Sequence, residues 1–207
     1  GGGDNLYLGS VVALNPDTGK YVWHYQETPG DNWDYTSTQP MILADLKIDN
    51  KPRKVILHAP KNGFFFVIDR KTGKFISAKN FVDVNWATGF DAKGRPIEVA
   101  DARRTDRPAD AVPGPYGAHN WHSMSFNPKT GLVYLPAQNV PINLMDDKNY
   151  KFNSNVPGQP GSGTGWNTGF LLNVEAPKTK PFGRLIAWDP VKQKEVWRQE
   201  HVSPWNG

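Results

Sequence analysis

His119 and His122 stand three residues apart, a spacing that can turn two imidazoles toward one metal ion. No third ligand lies nearby in the chain, so the pair reads as loop histidines bonded to backbone. The run Pro157-Gly158-Gln159-Pro160-Gly161-Ser162-Gly163-Thr164-Gly165 has the glycine content of a phosphate cradle. It lacks a closing Lys-Ser/Thr and a following helix, and reads as a plain loop. Three other polar residues sit in dense turn contexts: Asp34 in Gly30-Asp31-Asn32-Trp33-Asp34-Tyr35, Lys61 in His58-Ala59-Pro60-Lys61-Asn62-Gly63, and Asn120 in Gly117-Ala118-His119-Asn120-Trp121-His122. A carboxylate, an ammonium and a carboxamide can act as proton acceptor, electrostatic support and hydrogen-bond partner. Each also has an ordinary use. Aspartate is common in turns, lysine is common in solvated turns, and asparagine often satisfies loop backbone.

The elements that must position these residues are announced by an internal repeat. Residues 13–23 read Ala-Leu-Asn-Pro-Asp-Thr-Gly-Lys-Tyr-Val-Trp, and residues 187–197 read Ala-Trp-Asp-Pro-Val-Lys-Gln-Lys-Glu-Val-Trp. Weaker copies occupy 67–77 and 125–135. In each, a β-rich segment ends at Asp or Asn, the chain turns, and a second β-rich segment follows, which is the pattern of a hairpin. The seventh position runs Gly19, Gly73, Gly131, Gln193, at intervals of 54, 58 and 62 residues. Those intervals are too long for helical solenoids and fit a four-stranded propeller blade with one long insertion.

Composition agrees. The 207 residues include 20 Gly, 18 Pro and eight Trp, a mix suited to many short strands with aromatic packing. The net charge of +4 is spread among acids, as between Asp91 and Asp110, with none of the basic striping of a nucleic-acid binder. There is no cysteine, which removes disulfides, thiolate metal sites and covalent haem attachment from this stretch. No apolar run is long enough to span a membrane. The chain opens Gly-Gly-Gly-Asp and stops at Ser-Pro-Trp-Asn-Gly, so residues 1–207 read as an internal section of a longer propeller domain.

Strands are expected at 10–14, 20–25, 40–46, 54–59, 64–68, 74–78, 123–126, 132–136, 184–188 and 195–199. The run Phe64-Phe65-Phe66-Val67-Ile68 is apolar throughout, so that strand is expected to be covered on both faces. Lys61-Asn62-Gly63 reads as the turn before it. Two stretches, about 80–121 and 137–182, read as long loop insertions.

Taken together, these motifs resemble the quinoprotein alcohol dehydrogenases that use pyrroloquinoline quinone. The repeat looks like that family's tryptophan-docking motif. Trp33-Asp34-Tyr35, His58–Gly63, Gly117–His122 and Ser203-Pro204-Trp205-Asn206-Gly207 look like family signatures in family order. The resemblance covers essentially the whole chain. It implies an all-β fold, an eight-bladed propeller with the quinone on its axis against a calcium ion, of which this chain supplies about four blades. It implies that Asp34 is the catalytic base and approaches the calcium, that Lys61 is the cation beside the quinone, that Asn120 hydrogen-bonds the quinone, and that Trp205 and Asn206 line the cofactor pocket. Trp23 and Trp197 belong to the repeat and read as structural. The remaining calcium ligands are expected before Gly1, and a haem c domain, in a quinohaem enzyme, after Gly207.

The implied function is oxidation of a primary alcohol to an aldehyde, with a cytochrome or quinone as electron acceptor and a periplasmic location. Two alternatives stand beside it. One is a non-catalytic propeller scaffold of the same repeat family, which has no reason to keep Asp34, Lys61 and Asn120 together. The other is a sugar- or polyol-oxidising quinoprotein, whose pocket would differ in the long loops.

Overall fold

The computed structural model describes residues 3–103, 106–151 and 169–205, and these form fifteen strands and no helix. In chain order the strands are β1 (Ser10–Leu14), β2 (Tyr21–Gln26), β3 (Ile42–Ile48), β4 (Lys51–His58), β5 (Phe64–Asp69), β6 (Phe75–Asn80), β7 (Ala87–Phe90), β8 (Pro96–Glu98), β9 (Ala109–Ala111), β10 (Ser125–Asn127), β11 (Leu132–Asn139), β12 (Ile142–Asp146), β13 (Phe170–Leu172), β14 (Phe182–Asp189) and β15 (Lys194–Glu200). Two antiparallel four-stranded sheets dominate, ordered β3-β4-β5-β6 and β10-β11-β14-β15. The hairpin β1-β2, the pair β7-β8 and the three-stranded β13-β12-β9 complete the described part.

The repeat builds its hairpins by one local device. Asn15 Oδ1 accepts from the backbone of Asp17 and Thr18 and from the Thr18 hydroxyl, each at 3.0 Å. Asp69 Oδ1 does the same for Lys71 and Thr72, again at 3.0 Å. The turn then needs a left-handed residue at position seven, where Gly19, Gly73 and Gly131 have φ of 67°, 70° and 71°. Gln193 takes φ 52° at the same place, a conformation L-residues rarely adopt. Three copies share a register shift at their first two residues, Ala13/Leu14, Val67/Ile68 and Ala187/Trp188. The copies do not fall one to a sheet: 125–135 joins β10 to β11, and 187–197 joins β14 to β15 of that same sheet. Hairpin chemistry is the same at either edge of a blade, so spacing alone does not separate the two.

Tryptophan docking is visible between neighbouring sheets. A Cβ added to Gly73 would come within 2.5 Å of Trp23 Cε3, so the indole of the first copy packs directly against the glycine of the second. The next junction lacks both partners, since the second copy ends in Ser77 and the fourth has Gln193 in the glycine position. A crevice of about 370 Å³ opens there, lined in part by Lys79, Arg184, Trp188, Gln193 and Arg198.

The core has two halves divided by the sheet β3-β4-β5-β6. On β5, Phe65 and Val67 join Leu57, Val133, Leu135, Ile186 and Trp188, whereas Phe64, Phe66 and Ile68 join Tyr25, Trp33, Tyr35 and Trp86. These five of the six β5 residues are at most 1% exposed, as the unbroken apolar run requires. The expected strands are present, within a few residues at their ends. Five further strands lie inside the stretches read as loops, namely β7, β8, β9, β12 and β13. They are three to five residues long and carry too few side chains to show a period. The glycine-rich run 157–165 lies outside the described residues.

Candidate active site

Asp34 is aimed outward by its neighbours. Trp33 and Tyr35 are 5% and 0% exposed and stack on each other at 5.6 Å. Tyr35 donates its hydroxyl to Pro113 O at 2.6 Å, and the Arg103 guanidinium lies 4.9 Å over the Trp33 ring. With both flanking rings anchored in the core, the side chain between them faces solvent, and that of Asp34 is 61% exposed. Its φ of 63° is left-handed, a strained setting that aspartate tolerates better than most residues and that recurs at functional positions.

Lys61 meets this aspartate from the turn between β4 and β5. It is 8% exposed, and its Nζ donates to Asp34 O at 3.0 Å and to Asp34 Oδ2 at 3.2 Å. The stem is pressed by Gly117, where an added Cβ would lie 2.6 Å from Lys61 Cβ. Ala118 N donates to Lys61 O at 2.9 Å, so the 114–120 loop packs along the turn. Asn62 locks the turn from below, with Oδ1 accepting from Phe64 N at 3.0 Å and its carbonyl accepting from Trp86 Nε1 at 2.8 Å.

Asn120 is 7% exposed and donates through Nδ2 to Tyr116 O at 3.0 Å, while Gln39 Nε2 donates to its Oδ1 at 3.4 Å. Trp205 is 57% exposed and sets its ring edge-on to Tyr116 at 5.4 Å. Asp34, Lys61, Asn120 and Trp205 are therefore joined by a continuous run of contacts through the 114–120 loop, across most of the chain's length. Asn206 lies outside the described residues. His119 places its two ring nitrogens 2.6 Å from the carbonyls of Ala59 and His122, the backbone use expected of it. Burial pushes its imidazole below the usual histidine range, against the raising effect of those carbonyls.

Sequence reasoning passed over four residues here. Asp31 accepts from Trp33 N at 2.9 Å, and burial pushes its carboxyl up, with the charge of Asp34 adding to the effect. Glu27, His58 and Gln39 are buried at 0%, 0% and 3% behind the site. His58 stands in a motif that draws attention to its lysine, and the other two have no spacing that marks them.

The donors suit a flat, polyanionic quinone. An almost buried ammonium and an almost buried carboxamide offer hydrogens to its oxygens. The exposed Asp34 carboxylate suits a hard cation such as calcium. Among the described residues no three His, Cys, Asp or Glu side chains gather into a metal site, so Asp34 would be one ligand of several.

Antiparallel four-stranded sheets, the first joined to the preceding hairpin by Trp23 over Gly73, have the build of a quinoprotein propeller. Residues 1–84 match the PQQ-type beta-propeller domain of glucose, ethanol and alcohol dehydrogenases. Across 206 residues, 100% of this chain, it is 77% identical to the quinohemoprotein alcohol dehydrogenase of Comamonas testosteroni and spans 29% of that protein. It is 66% identical to the 1-butanol dehydrogenase (cytochrome c) of Thauera butanivorans over 100% of its own length and 30% of that protein. The crystal structure of the Comamonas testosteroni enzyme superposes with a TM-score of 0.94 over 100% of this chain and 31% of that one. A europium-containing methanol dehydrogenase superposes at 0.80 with 32% identity, over 97% of this chain and 34% of that one. The chain belongs to the pyrroloquinoline quinone-dependent alcohol dehydrogenase family and spans about a third of the length of these relatives.

Proposed function

We propose that this chain is the base-bearing section of a periplasmic quinoprotein alcohol dehydrogenase that oxidises primary alcohols to aldehydes with pyrroloquinoline quinone and calcium. The observation that carries this reading is the contact between the nearly buried Lys61 ammonium and the exposed Asp34 carboxylate. With one partner mostly in water, such an ion pair adds little stability, on the order of 1 kcal/mol, so its value lies in placement.

Lys61 holds Asp34 by both its carbonyl and Oδ2, which fixes the carboxylate, and the mostly exposed side chain remains open to a substrate hydroxyl or a cation. Asp34 takes the hydroxyl proton as general base. Lys61 uses two hydrogens on Asp34, and the third is available to an oxygen of the cofactor. Asn120 offers its remaining amide hydrogen to the same ligand, and Trp205 supplies an aromatic wall. The quinone, when bound, accepts the hydride equivalent from the alcohol carbon. The names of the relatives, a 1-butanol dehydrogenase (cytochrome c) among them and a quinone-type alcohol dehydrogenase subunit of Komagataeibacter europaeus, support an alcohol substrate and a cytochrome or quinone acceptor. A haem c domain would lie elsewhere in the protein.

The test is Asp34→Asn in a full-length dehydrogenase carrying this segment. The amide keeps the shape and takes no proton. Turnover should fall on the order of a hundredfold or more while quinone content, read by absorbance, is kept. Parent-like turnover at full quinone content would remove Asp34 from the role of base.

A further inference from the structure

Behind the site the core is polar where apolar packing would serve. Glu27 and His58 are each 0% exposed. Glu27 Oε1 lies 2.8 Å from His58 Nδ1, and His58 Nε2 lies 3.1 Å from Gln39 O. A carbonyl only accepts, so Nε2 carries a hydrogen, and the proton between Nδ1 and the carboxyl is shared by that pair. Buried acid–base pairs seldom stabilise a fold more than well-packed apolar side chains do. What such a pair does supply is direction, because each hydrogen bond fixes an angle as well as a distance.

The direction here is toward the two groups assigned to the cofactor. One arm runs from His58 to the backbone of Gln39 and from the Gln39 side chain to Asn120. The other runs from Glu27 O and Thr28 Oγ1 to Asn62 Nδ2, at 3.3 and 3.1 Å, in the turn that bears Lys61. The first arm decides a chemical property of the site. A carboxamide has two hydrogens and one oxygen, and rotation by half a turn exchanges them. With Tyr116 O against Nδ2 and Gln39 Nε2 against Oδ1, the Asn120 amide is held one way round. The reversed amide would face oxygen to oxygen at Tyr116 and nitrogen to nitrogen at Gln39. One Nδ2 hydrogen remains to be offered outward, so Asn120 is fixed as a donor.

We propose that Gln39, set by the buried Glu27–His58 pair, is a positioning residue that holds Asn120 as a hydrogen-bond donor toward an oxygen of the quinone. This rests on the reading of Asn120 as a cofactor-facing residue. Gln39 touches neither substrate nor cofactor in this scheme and acts only through Asn120.

The experiment is a titration of a full-length dehydrogenase carrying this segment, prepared free of quinone. Pyrroloquinoline quinone is added in the presence of calcium, and binding is read by quenching of tryptophan fluorescence. The parent, Gln39→Met, Asn120→Ala and the double variant form a cycle. Methionine keeps the length of the side chain and the backbone carbonyl but has no donor. Each single variant should weaken quinone binding by about tenfold, which is 1.4 kcal/mol, and the double variant should bind no more weakly than Asn120→Ala. Two further variants test the pair behind Gln39. His58→Phe removes the Nε2 donor and should lose affinity as Gln39→Met does. Glu27→Gln can donate to the Nδ1 of a neutral ring, keeps Nε2–H on Gln39, and should bind quinone like the parent.

Parent-like binding by Gln39→Met, or an equal extra loss on the Asn120→Ala background, overturns the proposal while leaving the role of Asn120 intact. Parent-like binding by Asn120→Ala overturns the reading of Asn120 itself, and the proposal with it. A fall in melting temperature for His58→Phe with unchanged quinone affinity marks the pair as purely structural and overturns its positioning role.

Discussion

Lys61 is almost withdrawn from water, and its ammonium pairs with Asp34, an aspartate that is itself mostly exposed. Such a cation is held in place by the packing of its stem, and Gly117 provides the room. An alanine there would be strained at a φ of 81° by about 1–2 kcal/mol, and its Cβ would press on Lys61 Cβ and Cγ. Gly117→Ala should therefore move the ammonium off Asp34. Displacing a supporting group by about an ångström can cost on the order of a hundredfold. We expect turnover per bound quinone to fall tenfold to a hundredfold on that scale, a loss that a mere drop in folded protein would not produce. Asp31 gives a second residue-scale test. Burial raises its carboxyl above the ordinary value of 3.8. A raised folded value means that its stability contribution is whole below 3.8 and is lost as pH rises through the raised value. Asp31→Asn keeps the acceptor for Trp33 N and does not titrate. Its melting temperature should gain on the parent's as pH rises from about 4 to 7, and a constant difference across that range would count against a raised carboxyl. Asp34, Lys61 and Asn120 were legible because each sits in a dense motif. Glu27, His58 and Gln39 were not, because they are brought together only by packing between separate segments, and an isolated polar residue in sequence does not say whether it will be buried.

Hairpins were the most legible elements, because their chemistry is local. An Asn or Asp at position three caps the turn with its own side chain, and a left-handed residue closes it, whatever the rest of the fold does. Short strands such as Ala87–Phe90 or Ala109–Ala111 depend on partners from elsewhere, so nothing in their own residues marks them. The docking of Trp23 over Gly73 joins one hairpin to the next and can be separated from simple turn strain. Gly19 and Gly73 have nearly the same φ, 67° and 70°, yet an added Cβ meets nothing within 4 Å at Gly19. Gly19→Ala should cost only the left-handed penalty of about 1–2 kcal/mol. Gly73→Ala adds overpacking of about 1–3 kcal/mol against the indole. The melting temperature should drop further for Gly73→Ala by several degrees, and equal drops would show that the indole does not bear on that glycine. Where Ser77 and Gln193 replace the docking pair, a crevice stands in its place, which is the same dependence seen from the other side.

At the scale of the whole molecule, the sheet β3-β4-β5-β6 is covered on both faces and the outer layers are not. Leu6, Tyr7, Val12, Leu14, Tyr21 and Val22 are 42–58% exposed on the β1-β2 side. Trp197, which repeats the place of Trp23, is 43% exposed with Tyr134 as its ring neighbour. Exposed apolar surface on this scale marks an interface, and relatives more than three times as long have further chain to set against it. The site has the same character. Asp34 presents one carboxylate, and the described residues gather no cluster of three His, Cys, Asp or Glu side chains around it. A quinone on Lys61 and Asn120 would have the half-exposed Trp205, edge-on to Tyr116, beside the same loop. Pre-organised positioning is what separates a turnover site from a binding surface, and a section with so few of the proposed groups should need others from the rest of the protein to reach it. The purified section of 207 residues, supplied with calcium and pyrroloquinoline quinone and assayed with ethanol and a dye acceptor, should therefore show no sustained turnover, while the full-length protein does. Multiple turnovers by the section alone would mean that Asp34, Lys61 and Asn120 suffice, and that the remaining blades serve stability rather than the site.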